Sequence, residues 1–390
     1  MDPRLLADSP IGQLVPVQGS DARYGPYACF AYLPAALPET LDLTMPTFAA
    51  VSDATGALSR LDQACAQLSE PGLLIRPALF REALDTSALE GTYGQLSAVL
   101  EAGLPGSQFQ SAETREILGY VHAALNAFDS VRDRSITVGL LSEAQGEMFR
   151  GLNNAPPDVG LLRQRQVWIG QRNSPITEAR FVPVPGDDRL KAAMESWARW
   201  VETDNPWPIV LRSAVAHYQF EALHPFSDGN GRIGRLVIVL QLLRSGIIKH
   251  PAVTISPWLF RNRDQYQQEL FDVSRTGDWN PWVQFFCRAV IEQCRALISG
   301  ADRLSQWLED SRTTVNERRW AGAIYDVLRG LTQWPVISVA SVASSCGLTS
   351  TAATNIVNHL VEVGIVEQMT ERNYGRTFGA TAVMAIVDAI

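Results

Sequence analysis

The stretch His224-Pro225-Phe226-Ser227-Asp228-Gly229-Asn230-Gly231-Arg232-Ile233-Gly234-Arg235 decides how this 390-residue chain is read. Gly229 and Gly231 bracket Asn230, so the backbone can take positive φ values that other residues resist. Successive N–H groups in such a turn can form an anion-binding nest. Downstream, Ile233, Leu236, Val237, Val239, Leu240 and Leu243 recur at helical spacing, which places the nest at a helix N-terminus. There the macrodipole and the unpaired N–H groups favour phosphate. Arg232 and Arg235, at i and i+3, occupy neighbouring parts of one helix face, and each guanidinium can hold phosphate oxygens in bidentate fashion.

The remaining chemistry lies just upstream. Asp228 can bind Mg²⁺, which takes one or two protein carboxylates together with substrate phosphates. His224 closes another helical pattern (Val210, Ala214, His217, Tyr218, Glu221) and suits proton removal near neutrality. Phe226 is expected in the core, pinning the loop. A histidine before proline, a Gly-Asn-Gly turn and two spaced arginines are each common in purely structural roles. Their occurrence together, in this order, is specific and fits the handling of a nucleoside triphosphate.

This stretch resembles the signature of the Fic (Fido) family, H-x-F-x-[D/E]-G-N-G-R-x-x-R, with every fixed position matched. The segments His217-Tyr218-Gln219-Phe220-Glu221-Ala222, Arg261 to Tyr266 and Thr276-Gly277-Asp278-Trp279 are similar to the family as well, so the resemblance covers roughly residues 25 to 310. It implies transfer of a nucleotide monophosphate, usually AMP from ATP, onto a protein hydroxyl. Carried over by position, His224 would deprotonate the attacking Ser, Thr or Tyr, and Asp228 would hold Mg²⁺ between the α- and β-phosphates. Gly229, Asn230 and Gly231 would cradle phosphate oxygens, Arg232 would stabilise the leaving β-phosphate and Arg235 would grip the γ-phosphate. Such a transition state chiefly needs in-line positioning and charge stabilisation. The Doc kinase branch has lysine where this chain has Gly231, which favours AMP transfer. The resemblance also places Tyr266 against the adenine, with a core position as the alternative.

A second motif, Thr86-Ser87-Ala88-Leu89-Glu90-Gly91, closes the apolar-patterned segment 77–89. Gly91 reads as the residue just past a helix end, which puts Glu90 in the last turn, facing the negative end of the dipole. The segment resembles the family's inhibitory motif, [S/T]-x-x-x-E-[G/N]. By that resemblance Glu90 would pair with Arg235 and block γ-phosphate placement, Thr86 would steady it from one turn earlier, and removal of the modification becomes a second activity to consider.

Composition sets the frame. A 46% hydrophobic and 19% charged content describes an ordinary folded protein of two to three domains. A net charge of −8 argues against broad nucleic-acid affinity. The five cysteines (Cys29, Cys65, Cys287, Cys294, Cys346) show no C-x-x-C spacing, so neither zinc nor a disulfide framework is indicated. The longest apolar run, Leu236 to Leu243, is too short for a bilayer, and no signal pattern opens the chain, so no membrane association and a cytoplasmic location are expected. P-loop, zinc-protease and α/β-hydrolase motifs are absent from the sequence.

Along the chain, residues 1 to about 50 read as proline-rich and irregular. Helical periodicity then covers 53–69, 77–90, 110–127, 137–150, 188–203, 207–223, 232–246, 262–274 and 279–310. Between 166 and 185 the pattern breaks into short extended pieces. In the family a hairpin there, the flap, docks an extended target segment by β-augmentation, which here places the flap near Ile176 to Val184, with Ile176 and Val182 as docking residues. From about residue 316 helices at 321–331, 339–345 and 350–363 and a hairpin of 365–367 with 376–378 resemble a winged helix-turn-helix. Its third helix offers Ser350, Thr351, Asn355, Asn358 and His359 but no Lys or Arg, and only Arg372 and Arg376 of the wing could meet phosphates. A docking or dimerising module is therefore favoured over a DNA reader, with DNA binding left open.

The expected architecture is mostly α: an N-terminal arm with the inhibitory helix (1–105), a Fic-type helical core with a small β-hairpin flap (106–312) and a winged helix-turn-helix-like domain (313–390). The expected activity is protein adenylylation from ATP with Mg²⁺, acting on a protein partner; self-modification and a homodimer stay open. A transcription regulator with a nucleotide-sensing core is the alternative from another class, and use of another nucleotide is the alternative among transferases.

Overall fold

The computed structural model describes residues 1–68, 72–105, 107, 111–171, 173–370 and 375–390. Arg372 and the expected wing turn at Asn373-Tyr374 lie outside them. The chain opens with an antiparallel hairpin of β1 (Gly12–Asp21) and β2 (Gly25–Pro34), in register from Gly12 opposite Pro34 to Asp21 opposite Gly25. The irregular arm expected from the prolines is thus a regular ribbon. Its turn is held by Asp21, whose Oδ1 accepts the N–H groups of Arg23 (2.8 Å) and Tyr24 (2.9 Å), and by Gly25 at φ 79°.

Helices follow: α1 (Met45–Gln67), α2 (Gly72–Leu89), α3 (Leu96–Ala102), α4 (Ala112–Ser130) and α5 (Val138–Met148). After an extended stretch come α6 (Asp188–Glu202), α7 (Ile209–Leu223) and α8 (Asn230–Arg244). Next are α9 (Ser256–Arg261), α10 (Arg263–Thr276) and the long α11 (Asn280–Glu317). The C-terminal part runs α12 (Ile324–Gln333), β3 (Val336–Ser338), α13 (Val339–Cys346), α14 (Ser350–Glu362), β4 (Glu367–Gln368), β5 (Thr377–Gly379) and α15 (Thr381–Asp388). The three short strands form an antiparallel sheet in the order β3-β5-β4. The fold is therefore mostly helical, as the periodicities predict. No helix among the described residues is long and apolar enough to cross a membrane.

Contacts divide the chain into two compact units. One comprises residues 1–56, 122–248 and 258–291; the other comprises 57–121, 249–257 and 292–390. In the first, α8 is the central helix, buried on all sides from Asn230 to Leu242, and α7 packs along it. Gly234 permits the approach: a Cβ there would stand 2.3 Å from Glu221 Oε1 and 3.0 Å from Phe220 Cδ1. In the second unit α2 packs on α3, α12 and α15. Phe80 meets Trp334 edge-on at 4.9 Å, and the buried Glu82 carboxylate accepts the N–H groups of Ile255 and Ser256, both at 2.9 Å.

Helix α2 ends at Leu89, with Glu90 one residue beyond and exposed. Gly91 stands at φ 90°, and the N–H of Thr92 returns to Ser87 O at 2.9 Å, so the expected glycine stop is formed. Thr86 is fully buried.

Candidate active site

The site is built where α7 gives way to α8. His224 caps α7 at φ 49° and ψ 62°, with its N–H still bonded to Phe220 O at 2.9 Å. Left-handed backbone at a histidine costs about 1–3 kcal/mol, so neighbouring contacts must hold it. Five residues on, Gly229 stands at φ 82° as the N-cap of α8 and supplies no side-chain cap. Its φ favours glycine, and a Cβ there would fall 2.4 Å from Met148 Cε and 3.0 Å from Phe149 Cε2, so a side chain would also press on these two residues. The first turn of α8 thus starts at an uncapped N-terminus, a favourable place for phosphate oxygens.

Three residues of the expected phosphate turn take distinct positions. Gly231 lies buried in the first turn of α8. Asn230 is buried too, and its amide is committed within the protein: Oδ1 accepts the Phe226 N–H at 2.7 Å and Nδ2 donates to Phe226 O at 2.8 Å. Its side chain is thereby turned onto the Phe226 main chain. Phe226, fully buried, is the loop's anchor, as expected.

Asp228 keeps 54% of its side chain exposed. Its Oδ1 accepts the Gly229 N–H at 2.6 Å and lies 3.4 Å from Arg232 Nη2, whereas Oδ2 accepts none of the hydrogen bonds among the described residues. An exposed carboxylate beside an uncapped helix N-terminus fits Mg²⁺ carried in on phosphates. No cluster of three or more His, Cys, Asp or Glu that could hold a metal occurs among the described residues. Arg232 is 1% exposed with its guanidinium 5.2 Å from the Phe149 ring centre, and Arg235 is 2% exposed. Both cations stand on the first turn and a half of α8, inside the protein, where charge acts through little water.

Behind them lies a buried network. His217 sits between Gly234 O (Nδ1, 3.1 Å) and the Tyr266 hydroxyl (Nε2, 2.7 Å), stacked near Trp282. Burial, with the charge of Arg235 second, pushes the His217 pKa down to about 3. Tyr266, expected at the nucleotide, is 5% exposed with its hydroxyl on His217; the structure gives it the alternative, a core position.

The flap also differs from expectation. Residues 176–178 form a short 3₁₀ turn, and among the described residues one antiparallel bridge, Ile169 with Phe181, joins the two extended pieces. Ile176 and Val182 are buried, packed with Ala31 and Ala179. Val182 O accepts the Tyr32 N–H at 2.8 Å, and Tyr32 bridges Pro183 in parallel fashion. At the other end Arg23 Nη1 donates to Asn173 Oδ1 at 2.8 Å and the Tyr24 hydroxyl bonds Asn173 O. The N-terminal ribbon therefore occupies the Val182 edge, so that edge is not open to a target strand. The Val182 and Ile176 side chains serve packing.

Sequence reading missed the supports of the motif loop. Gln145 bridges Gly160 N–H (to Oε1, 2.5 Å) and Asp228 O (from Nε2, 3.2 Å). Ser227 Oγ donates to Asp158 Oδ2 at 2.6 Å and accepts from Arg165 Nε at 3.0 Å. Arg163, 1% exposed, bonds the carbonyls around His224. These residues carry no periodicity, so only a folded partner reveals them.

Comparison with known proteins agrees with this geometry. Residues 48–129 match the Fic/DOC family N-terminal model and residues 135–242 the Fic/DOC family model. The two matched stretches contain, respectively, the Glu90 segment and the His224–Arg235 stretch. It is 30% identical over 232 residues to "Protein adenylyltransferase fic-1" of Caenorhabditis elegans, covering 55% of this chain and 40% of the relative. It is 28% identical over 258 residues to "Protein adenylyltransferase Fic" of Drosophila melanogaster, covering 63% of this chain and 45% of the relative. The chain thus spans less than half the length of these curated relatives. A crystal structure of a Fic family protein from Desulfovibrio desulfuricans superposes with a TM-score of 0.56 at 20% identity, over 88% of this chain and 98% of that one, a likeness of fold.

Proposed function

We propose that the protein is a protein adenylyltransferase, moving AMP from ATP to a Ser, Thr or Tyr hydroxyl of a protein. One observation carries this reading: a single loop joins His224 at the end of α7 to Asp228, Gly229, Arg232 and Arg235 at the start of α8. The hydroxyl oxygen attacks the α-phosphorus while its proton passes to His224. The bond from the α-phosphorus to the bridging oxygen breaks, and pyrophosphate departs. The main-chain N–H groups of 230–232 and the Arg232 guanidinium receive the leaving charge, and Arg235 holds the terminal phosphate. Asp228 would hold Mg²⁺ with the phosphates, where the ion supplies charge neutralisation.

Regulation belongs to the same proposal. Glu90, just past the glycine-stopped end of α2, is assigned as the inhibitor that pairs with Arg235, with Thr86 steadying the turn. The support is the motif itself and its place before the catalytic segment. We place the protein in the cytoplasm; its five cysteines are free thiols.

Residues 313–390 are read as a winged helix-turn-helix-like domain, supported by the order helix, strand, two helices, two strands and the sheet order β3-β5-β4. His359 on α14 stacks on Trp320 at 4.2 Å, and α14 bears no Lys or Arg, which supports a docking role over DNA reading. A mobility shift on duplex DNA surviving moderate salt would instead support the regulator.

The test of the reaction uses Glu90→Gly protein with ATP labelled on either the α- or the γ-phosphate. Label retained on protein from α alone is the expected result. Retention from γ alone would make the enzyme a kinase.

A further inference from the structure

Arg163 stands out among the buried cations of the first unit. It lies between α5 and α6 in chain order, outside the signature, and is 1% exposed. Its guanidinium bonds four main-chain carbonyls: Nε to His224 O at 2.7 Å, Nη2 to Val184 O at 2.5 Å and to Leu223 O at 3.2 Å, and Nη1 to Arg165 O at 3.1 Å. Its own N–H donates to Pro225 O at 3.0 Å. Burial pulls its pKa down to about 10, against a smaller opposing pull from Asp187, so the group remains a cation at neutral pH.

A buried charge is expensive, and packing alone would be served by an apolar side chain of similar volume. What the guanidinium adds is a rigid planar fork. Leu223 and His224 hold the last carbonyls of α7, which lack partners within the helix and lie at the negative end of its dipole. Arg163 satisfies both at once, at the residue whose left-handed φ the helix itself does not enforce. The same guanidinium reaches Val184, at the end of the extended piece that packs under the N-terminal ribbon.

We propose that Arg163 is a positioning residue: it locks the His224 backbone to the 182–184 segment, which is itself paired with Tyr32 of the N-terminal ribbon, and so fixes the base on a rigid support. This rests on the adenylyltransferase reading for its catalytic consequence. Nucleotide grip, built from the first turn of α8, is not among its contacts.

The experiment compares Arg163→Lys and Arg163→Met, each in the Glu90→Gly background, with the parent. For Arg163→Lys, which keeps the cation but loses the fork, kcat for transfer is expected to fall by about 10²-fold with KM for ATP within about twofold, as for a small misplacement of a catalytic group. Hydrogen exchange should quicken by about tenfold or more in peptides covering 223–228 and 182–184, with α8 beyond residue 233 unchanged. Arg163→Met should show the same pattern with a lower Tm. Unchanged kcat and unchanged exchange in folded Arg163→Lys protein would overturn the proposal. So would loss of fold in both variants, which would make Arg163 a general core residue, and so would a rise in KM for ATP that matches the fall in kcat. A parent that transfers nothing would sink the adenylyltransferase reading instead, and the paired exchange at 223–228 and 182–184 would still decide whether Arg163 couples the two segments.

Discussion

The Asn230 amide closes on both main-chain groups of Phe226, accepting at 2.7 Å and donating at 2.8 Å. The two residues bracket Ser227, Asp228 and Gly229, so one side chain sets the width of the loop that presents the carboxylate and the uncapped helix end. Replacing it with alanine leaves a buried N–H and C=O without partners, which costs about 1–3 kcal/mol. Asn230→Ala is therefore expected to lower the denaturation midpoint and to reduce transfer by about 10²-fold through misplacement. Full activity in that variant would show that the loop is held by other means.

Tyr266 illustrates how a motif carried over by likeness can be redirected by packing. Its hydroxyl meets His217 Nε2 at 2.7 Å inside the core. Tyr266→Phe is expected to destabilise the fold by about 1–3 kcal/mol by leaving that nitrogen unsatisfied. ATP affinity, measured by calorimetry, should stay within about twofold. A tenfold loss of affinity at unchanged stability would return Tyr266 to the nucleotide.

His217 also predicts a pH dependence. Its folded pKa, near 3, lies below the ordinary value of 6.5, because burial and Arg235 disfavour the charged ring. A depressed pKa contributes stability that is fully present above 6.5 and is lost as pH falls towards 3. Unfolding free energy should therefore decline on acidification across that window, with a slope approaching about 1.4 kcal/mol per pH unit from this group alone. In His217→Asn that part of the slope should vanish. An identical pH profile in the variant would remove His217 from the account.

The helices were legible because their apolar spacing survives in the folded state: α6, α7, α8 and α10 begin and end within two residues of the periodicity, apart from small shifts at frayed ends. The motif loop was legible because the positive φ at Gly229 favours glycine, which the sequence displays directly. The N-terminal ribbon was not. Pro16, Pro26 and Pro34 read as breakers, yet in a two-stranded ribbon a residue lacking N–H is tolerated where no ladder bond is needed. Short elements such as α3 and α9 also escaped, since six or seven residues hold too little pattern. Tyr32, which pairs with Val182 and Pro183, lies about 150 residues upstream of Val182, and no local pattern encodes that pairing. Arg163 was silent for the same reason: its partners are carbonyls, which every residue has.

We propose that His224 acts as the base for AMP transfer and that Glu90 restrains the reaction. The most direct measurement incubates wild-type, Glu90→Gly and Glu90→Gly/His224→Ala protein with ATP labelled on the α-phosphate and quantifies label retained on protein. Weak labelling by wild type, strong labelling by Glu90→Gly and none by the double variant is the predicted result. Equal labelling by wild type and Glu90→Gly would contradict the restraint, and labelling that persists without His224 would contradict the assignment of the base.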